Sequence, residues 1–457
     1  MTQATTPTET TDPLATAERV LDLVRARARD AEAEVTVRRG TEALTRFANS
    51  FIHQNVAEET SHVYLRLAVD GRVAGSAMDG PVDDEALGRL VGDVLDAAKV
   101  SQPDAGWPGL APKAAVQDVD HWDDETAAAE PDARARLVAD FVRAGGGLET
   151  AGSCLTNAVT VGFANSAGQR ATGRTTVASL DGIARTGTSD GSGRVASTRI
   201  SELDGRAAGE RAAQKARDAA NPTDIEPGRY EVVLEPFCVA NVLQFLFIYG
   251  FNGRAVEEGR SFARVGAAQF DPAITIRDDA TNPRQAGVAF DAEGTPKRAV
   301  DVVRDGVTSA VLQTRRTAAA AGAGTDSTGH AVEGGDQLGA LPSNVVLESG
   351  KKSSEELVRG MGRGLLVTDF WYTRILDPRT EVVTGLTRNG VWLVEDGRIV
   401  RPVANLRFTQ SFLDALGPGA VKAVGSDQAL LLGGFDGAYL VPSLHLASWN
   451  FTGGARG

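Results

Sequence analysis

Cysteine is nearly absent from this chain of 457 residues, which contains only Cys154 and Cys238. Two isolated cysteines exclude a disulfide framework and a CxxC metal knuckle. Single thiols of this kind are typical of small buried side chains in a reducing compartment, so the sequence predicts a cytoplasmic protein. Cys238 lies in an apolar segment with no basic neighbour in sequence, which predicts an inert thiol.

Histidine is also scarce. The five histidines are His53, His62, His121, His330 and His445. No two of them have a metal-chelating spacing on one helix, so this chain has no HExxH site of its own. We expect His121 to lie in a solvated loop ahead of a helix and His330 to lie on a surface loop. His445, between two leucines of a strand, is expected to point away from the core.

An excess of positive charge and a long apolar run are both missing. The net charge of −13 argues against a nucleic-acid partner, because phosphate binding needs a basic face. The longest apolar run has about 15 residues, whereas a membrane span needs roughly 20. Met1 to Pro13 has neither a basic nor an apolar signal region, so it is expected to be a disordered lead-in.

Glycine is plentiful, at 51 residues, and the first half of the chain alternates between helical and strand periodicity. The pattern predicts helices at 14–31, 83–98, 131–144 and 201–220, antiparallel strands at 33–73, and short strands at 153–199. Asn221-Pro222 and Glu226-Pro227-Gly228 form a turn-rich hinge. We therefore expect an N-terminal α/β domain at 14–222 and a C-terminal β-rich domain at 223–457.

The second half reads as a strand, an apolar helix and then many short strands joined by Asp-Gly and Asn-Gly turns. One of those strands is expected within AGVAFDAEGTP at 286–296. Such a series predicts a curled, barrel-like sheet, and with the first half an α+β fold. The low-complexity segment 317–335 is expected to be a mobile loop. DDETAAAE at 123–130 is interpreted as a solvated acidic face.

Nucleophile motifs are missing as well. The chain has no GxSxG elbow, and Ser261, after Gly259 and Arg260, is the only serine in a glycine-rich loop that suggests a site. No general base stands beside a nucleophile in sequence. The residues alone therefore predict no catalytic site.

Four ordered segments resemble the TldD/PmbA family of peptide-processing proteins. They are RFANSFIHQN at 46–55, GFANSAGQRATGRTT at 162–176, VAFDAEGTPKRAVDVVRDGV at 288–307 and the long stretch 364–406. The most specific are FDxEGxP and GxWxVExGxxxxPV. The resemblance runs from Ala43 to the end of the chain, and it implies the α+β architecture given above.

In this family the TldD-type subunit carries HExxxH ahead of a glycine-rich loop and a cysteine near the C-terminus, which hold zinc and supply a general base. By resemblance, the corresponding positions here are Gln244, Phe245 and Tyr249, and 425–441 contains no cysteine. The chain is therefore similar to the TldE/PmbA-type subunit, which binds no metal. The residues expected in the adjoining loops or substrate cleft are Gly250, Gly253, Gly259, Ser261 and Asp291.

The resemblance implies a heterodimer in which a TldD-type subunit supplies the zinc and this chain none. Unfolded peptides would pair with an exposed strand by main-chain hydrogen bonds. Leader-peptide removal is one implied role. Two alternatives stay open: a stand-alone peptide-binding or regulatory protein, and a peptidase with a non-zinc site, for which Ser261, Tyr249 and Asp291 are the first candidates.

Overall fold

The computed structural model describes residues 12–433 and 437–454. The expected lead-in, Met1 to Pro13, lies almost entirely outside the described residues. The helices are α1 Pro13–Arg27, α2 Asp84–Val100, α3 Asp124–Ala127, α4 Pro131–Ala144, α5 Gly205–Asp218, α6 Pro236–Phe245, α7 Gly253–Glu257, α8 Arg315–Ala321, α9 Ser354–Arg359 and α10 Phe412–Ala415. A 3-10 turn spans Ile200–Glu202, and a π-helical turn spans Leu246–Gly250.

The first half of the chain builds one antiparallel sheet of six strands in the order β3-β2-β1-β4-β5-β6. Its strands are β1 Glu32–Ala48, β2 Phe51–Val69, β3 Arg72–Asp79, β4 Glu149–Asn165, β5 Arg170–Arg185 and β6 Asp190–Ser197. The strands predicted at 153–199 as short are in fact up to 17 residues long. Gly, Thr and Ser residues inside them suggested interruptions, but β4 and β5 run through these residues without a break.

Two pairs of helices cover this sheet, one pair at each end. Helices α1 and α2 bury their apolar faces on the β1–β2 end, where Val35, Val37 and Leu65 are fully buried. Helices α4 and α5 cover the β5–β6 end, and Ala208, Ala212 and Ala216 on one face of α5 are buried there. Proline at the first position of α4 suits a helix start.

The second half contains the predicted barrel. The strands from 228 onward are β7 Gly228–Leu234, β8 Ile276–Asp278, β9 Val300–Arg304, β10 Val307–Thr308, β11 Asn344–Leu347, β12 Arg363–Asp377, β13 Val382–Glu395, β14 Arg398–Pro402, β15 Leu406–Ser411, β16 Val421–Val424, β17 Ala429–Leu432, β18 Ala438–Val441 and β19 Leu444–Gly454. Strands β12-β7-β19-β15-β13 follow one another, and β13 pairs back with β12, which closes a five-stranded barrel. The α+β fold class is therefore confirmed.

Not every predicted strand belongs to the barrel. The segments ITIRDD at 274–279 and AVDVVRDGV at 299–307 belong to a separate six-stranded sheet in the order β10-β9-β8-β11-β18-β17. The strand predicted at 286–296 was wrong, because the chain turns there: Gly294 has φ +72° and Phe290 only bridges Pro296. The loop expected at 317–335 begins inside α8, which Thr314 and Thr317 start with a reciprocal capping box.

A buried ion network joins the first sheet to the segment 291–336. The Arg66 guanidinium donates to Glu34 (2.6 Å), Glu293 (3.1 Å) and Asp336 (3.0 Å), and it lies 5.0 Å from the centre of the Trp107 ring. Burial and the neighbouring acids raise the pKa of Glu34 to about 7, although Arg66 opposes the shift. These contacts fix the two halves against each other.

None of the helices in residues 12–433 and 437–454 has the length and the apolar composition needed to span a bilayer.

Candidate functional site

The apolar helix α6 runs into a π-helical turn and then into the loop that leads to α7. Pro236 starts α6, and the helix buries Cys238, Val239 and Leu243. Glycine is required at Gly250, because a Cβ there would come within 1.9 Å of the Phe262 ring. A π-helical turn inside a helix is often found at functional sites, so this end of α6 is a natural place to look for chemistry.

Phe245 and Tyr249, two of the three side chains that the resemblance assigns to metal positions, lie in an aromatic cluster. The Phe245 ring stacks on Tyr249 with centroids 5.9 Å apart and meets Phe412 edge-on at 5.7 Å. Gln244, Phe245 and Tyr249 are each half-buried. An amide, a phenyl ring and a phenol do not make the imidazole and thiolate set that zinc prefers, so these residues do not fit the metal. Among the residues with described positions, no three His, Cys, Asp or Glu side chains group as metal ligands.

The two thiols do not supply a missing ligand. Cys154 and Cys238 are both free and buried. Burial raises the pKa of Cys154 to about 12 and raises the pKa of Cys238 well above its usual range. Cys238 is therefore the inert thiol that its apolar setting predicted.

The loop residues named from the resemblance are not brought together around one point. Ser261 Oγ donates to the Gly250 carbonyl (2.6 Å) and accepts from the Ala263 N–H (2.8 Å), so it braces the loop. Gly253 packs closely, because a Cβ there would come within 2.1 Å of Gln313 Oε1. Gly259 has φ +65° and open space around its Cα.

Asp291 is a buried carboxylate that holds a turn. Its oxygens accept from the backbone N–H groups of Glu293, Thr295 and Ala331, each at 2.9 Å. Burial and the charge of Glu293 raise the pKa of Asp291 to about 7, and the three N–H donors oppose the shift. These contacts describe a carboxylate that shapes the FDxEGxP turn.

Three histidines predicted to face solvent are buried, and those predictions were wrong. His121 lies between the carbonyls of Gly287 and Asn282, each 2.9 Å from a ring nitrogen. His330 Nε2 lies 3.0 Å from Asp278 Oδ1. His445 lies beside Glu231, and burial lowers the pKa of His445 although Glu231 opposes the shift. Apart from Thr328, which also contacts the His330 ring (2.8 Å), the partners of these histidines are remote in sequence, so local patterns could not reveal them.

A cavity of about 720 Å³ lies where the two halves of the chain meet. Strand β6, α5 and the start of α6 form one wall, and β17 with the loop before it forms the other. At its base, Arg194 Nη1 donates to Asp369 Oδ1 (2.7 Å) and its guanidinium lies 4.2 Å from the centre of the Phe237 ring. Arg211 donates to the Arg194 carbonyl and forms no ion pair with any described residue.

The cavity is suited to binding an extended chain rather than to hydrolysing it. Strands β6 and β17 are both end strands of their sheets, and unpaired strand edges can accept an extended chain through main-chain hydrogen bonds. Ser192 Oγ donates to Asp369 Oδ2 (3.2 Å). No histidine or cysteine is among the described residues that line the cavity, so Ser192 has no imidazole base. Sequence reasoning missed this site because its residues come from seven separate segments.

Comparisons with known proteins agree with this architecture. The family model for the PmbA/TldA metallopeptidase C-terminal domain matches residues 227–453. A metalloprotease of Methanothermobacter thermautotrophicus is 28% identical over 247 residues, which is 51% of this chain and 50% of that protein. The chain thus spans about half the length of this curated relative.

Solved structures extend the likeness to the whole fold. TldE from Thermococcus kodakarensis has a TM-score of 0.85 at 20% identity over 95% of this chain and 99% of that one. A proposed DNA gyrase modulator from Thermotoga maritima gives 0.82 at 19% over 95% and 100%, and one from Bacteroides thetaiotaomicron gives 0.81 at 19% over 96% and 98%. Through its C-terminal domain the chain belongs to the PmbA/TldD family of metallopeptidase-related proteins, and its fold is that of TldE.

Proposed function

We propose that this chain is the non-catalytic, TldE-type subunit of a cytoplasmic peptidase complex, in which a homologous TldD-type subunit binds the zinc. The observation that carries the proposal is the aromatic cluster at the family's metal positions. Phe245 and Tyr249 stack on each other where two metal-site residues would stand. A phenyl ring cannot take a proton from water, so hydrolysis has to be performed by the partner.

The contribution of this chain is to hold the peptide. The cavity between β6 and β17 offers unpaired strand edges, which recognise backbone rather than side chains, together with Arg194 and Arg211. Recognition of backbone suits unfolded or modified peptides, including leader peptides, and disfavours folded proteins. The net charge of −13 supports a peptide over a nucleic acid as the ligand.

The same cavity supports one alternative, a stand-alone peptide-binding or regulatory protein that has no catalytic partner. A peptidase with a non-zinc site has less support. Ser261 is engaged with the Gly250 carbonyl, and Asp291 is engaged with three backbone N–H groups. Neither side chain is left free to act on a substrate.

The test begins with the purified chain alone. We expect no stoichiometric zinc by elemental analysis and no cleavage of unfolded casein. Adding the TldD-type subunit should produce cleavage that a chelator abolishes. Tyr249→Ala should keep the rate of the complex within about twofold, because the phenol takes no part in the chemistry, whereas replacing a zinc ligand of the partner should abolish the rate.

Two outcomes would overturn the accessory assignment. One is zinc bound stoichiometrically by this chain's own side chains. The other is a large loss of rate in Tyr249→Ala while assembly of the complex is unchanged. If no TldD-type chain binds but unfolded peptides still do, the stand-alone alternative is the correct one.

A further inference from the structure

The outer face of the barrel carries exposed aromatic rings beside arginines on strands β12, β13 and β15. Trp371 and Tyr372 are 47% and 64% exposed, and their rings meet edge-on with centroids 5.5 Å apart. In the register of the sheet, Trp371 lies opposite Leu386, and Leu386 lies opposite the exposed Arg407. We define the aromatic–basic patch as Trp371, Tyr372, Arg374, Leu386, Arg388 and Arg407.

The backbone at Tyr372 is strained in a way that exposes a second ring. Tyr372 has φ +51°, and among residues 12–433 and 437–454 it is the only aromatic residue with a positive φ. A bulky side chain rarely adopts this conformation, because it is sterically unfavourable. The pairing of β12 with β13 shifts register between Trp371 and Arg374, so two consecutive rings are exposed where a regular strand would alternate. Strain of this kind is concentrated at sites that bind a ligand or a partner.

The patch offers hydrogen-bond donors that have no acid to bind. The Arg388 guanidinium lies 4.5 Å from the centre of the Trp371 ring, and that of Arg374 lies 5.7 Å from the centre of the Tyr372 ring. Within the described chain, neither of these groups nor the Arg407 guanidinium forms an ion pair. The cations are therefore held against aromatic faces with most of their N–H groups free.

The two acids of the hairpin between β12 and β13 do not neutralise the patch. Glu381 is fully buried. Asp377 accepts from the Arg379 N–H (3.0 Å) and from the Thr380 hydroxyl (2.6 Å). On a chain with a net charge of −13, the patch is thus a local positive surface that is complementary to carboxylates.

We propose that the aromatic–basic patch binds an acidic segment of another polypeptide, which lies across β12, β13 and β15. Carboxylates of the segment would accept from the three guanidinium groups, whose planar fork suits a carboxylate. Apolar side chains of the segment would cover the Trp371 and Tyr372 rings. Tryptophan, tyrosine and arginine are the residue types that contribute most to protein–protein binding.

Single-stranded nucleic acid also binds to arginines and aromatic rings, but it needs a basic groove that follows its phosphates. The patch is a short surface on a chain with 60 acidic and 47 basic side chains, so an acidic polypeptide is the better match. The proposal does not rest on the accessory role given above.

Fluorescence anisotropy with the purified full chain tests the proposal. The probe is a labelled, capped peptide rich in glutamate and leucine, and its counterparts carry glutamine or lysine in place of glutamate. We expect the glutamate peptide to bind roughly tenfold more tightly than the glutamine peptide, and the lysine peptide not to bind. The affinity for the glutamate peptide should fall as salt is added.

Substitutions test whether binding occurs at the patch. Arg407→Glu should raise the Kd for the glutamate peptide roughly tenfold or more. Arg136→Glu reverses another exposed arginine without an ion pair, on α4, and should change the Kd by less than about twofold. Trp371→Ala should weaken binding about as much as Arg407→Glu, whereas Trp371→Phe keeps a ring and should bind within about threefold of the wild type. Circular dichroism should be unchanged in all four variants, because these side chains are on the surface.

Equal binding of the glutamate and glutamine peptides would overturn the proposal, and so would an equal effect of Arg136→Glu and Arg407→Glu. Single-stranded oligothymidylate is the competing ligand. If it binds more tightly than the glutamate peptide and Arg407→Glu weakens it, the patch is a nucleic-acid site instead. The accessory role is tested separately by zinc content and casein cleavage, so either proposal can fail without the other.

Discussion

At the scale of single residues, Glu381 is the most unusual acid of the described chain. It stands in the hairpin between β12 and β13 with φ +50° and is fully buried. Neither carboxylate oxygen has a hydrogen-bond partner among the described residues. Burial, with a smaller effect of Asp377, raises the pKa of Glu381 to about 9. The folded protein therefore holds this carboxyl in its neutral form at pH 7.

This raised pKa makes stability fall with pH. Between the unfolded value near 4.5 and the folded value of about 9, the folded state binds a proton that the unfolded state has lost. The contribution is fully present below the lower value and is lost as pH rises through the upper one. We expect Glu381→Gln to remove on the order of 2–3 kcal/mol of the decline in unfolding free energy between about pH 5.5 and about pH 7.5.

Urea unfolding at a series of pH values measures this decline. Glu42→Gln changes an exposed acid and serves as the control, so its profile should run parallel to that of the wild type. Parallel profiles for Glu381→Gln and the wild type would show instead that Glu381 is ionised in the folded protein.

At the scale of elements, strand β6 can pack closely against α5 because two of its residues, Gly191 and Gly193, have no side chain. A Cβ on Gly193 would lie 1.9 Å from the Ala208 carbonyl oxygen, and one on Gly191 would lie 2.3 Å from the Ala212 carbonyl oxygen. The helix backbone therefore rests directly on the strand. Because β6 also lines the cavity, this close contact sets the position of one cavity wall.

Gly193→Ala should force α5 away from β6 and lower the unfolding free energy by about 1–3 kcal/mol, as other overpacked contacts do. Gly187→Ala, where a Cβ meets nothing within 4 Å, is the matched control and should change stability by less than about 0.5 kcal/mol. Chemical denaturation of both variants measures the difference. Equal stability of the two would mean that the helix can shift without cost.

Elements with local signals were predictable from the sequence. Proline at a helix start placed α4 within the observed bounds, and Asp70-Gly71, which adopts positive φ at both residues, turns between β2 and β3 as predicted. The sequence predicted a barrel-like sheet but not which strands pair to close it. Strand β7 pairs with β12 and β19, which lie far along the chain. The cavity and the burial of His330 depend on such remote contacts, so no local pattern indicated them.

The candidate site was predictable in one respect only. Resemblance to the family indicated Gln244, Phe245 and Tyr249 as the altered metal positions, and the structure places Phe245 and Tyr249 in ring contact. It could not indicate that Phe412, from a helix after β15, completes the cluster. Nor could it indicate Arg194 and Asp369, whose ion pair depends on how β6 meets β12.

At the scale of the whole molecule, the Arg66 network decides how firmly the two halves are held together. Arg66 is 11% exposed, while Glu34 and Glu293 are each 3% exposed. Removing the cation would leave two buried carboxylates close together without compensation. We expect Arg66→Met to lower the unfolding free energy by about 3–5 kcal/mol, the usual effect of removing one partner of a buried ion pair.

The matched control is Arg89→Met, which removes an exposed pair with Glu85 on one helix and should change the unfolding free energy by less than about 0.5 kcal/mol. The loss of unfolding free energy in Arg66→Met should become smaller as pH is lowered. The pKa of Glu34 is about 7 in the wild type, and without Arg66, which lowers it, the pKa rises further, so Glu34 is protonated more readily in the variant. Protonating Glu34 then removes the repulsion from Glu293. Denaturation at about pH 5 and about pH 8 measures this change, and a deficit that is the same at both would show that Arg66 acts by packing on Trp107 and not by charge.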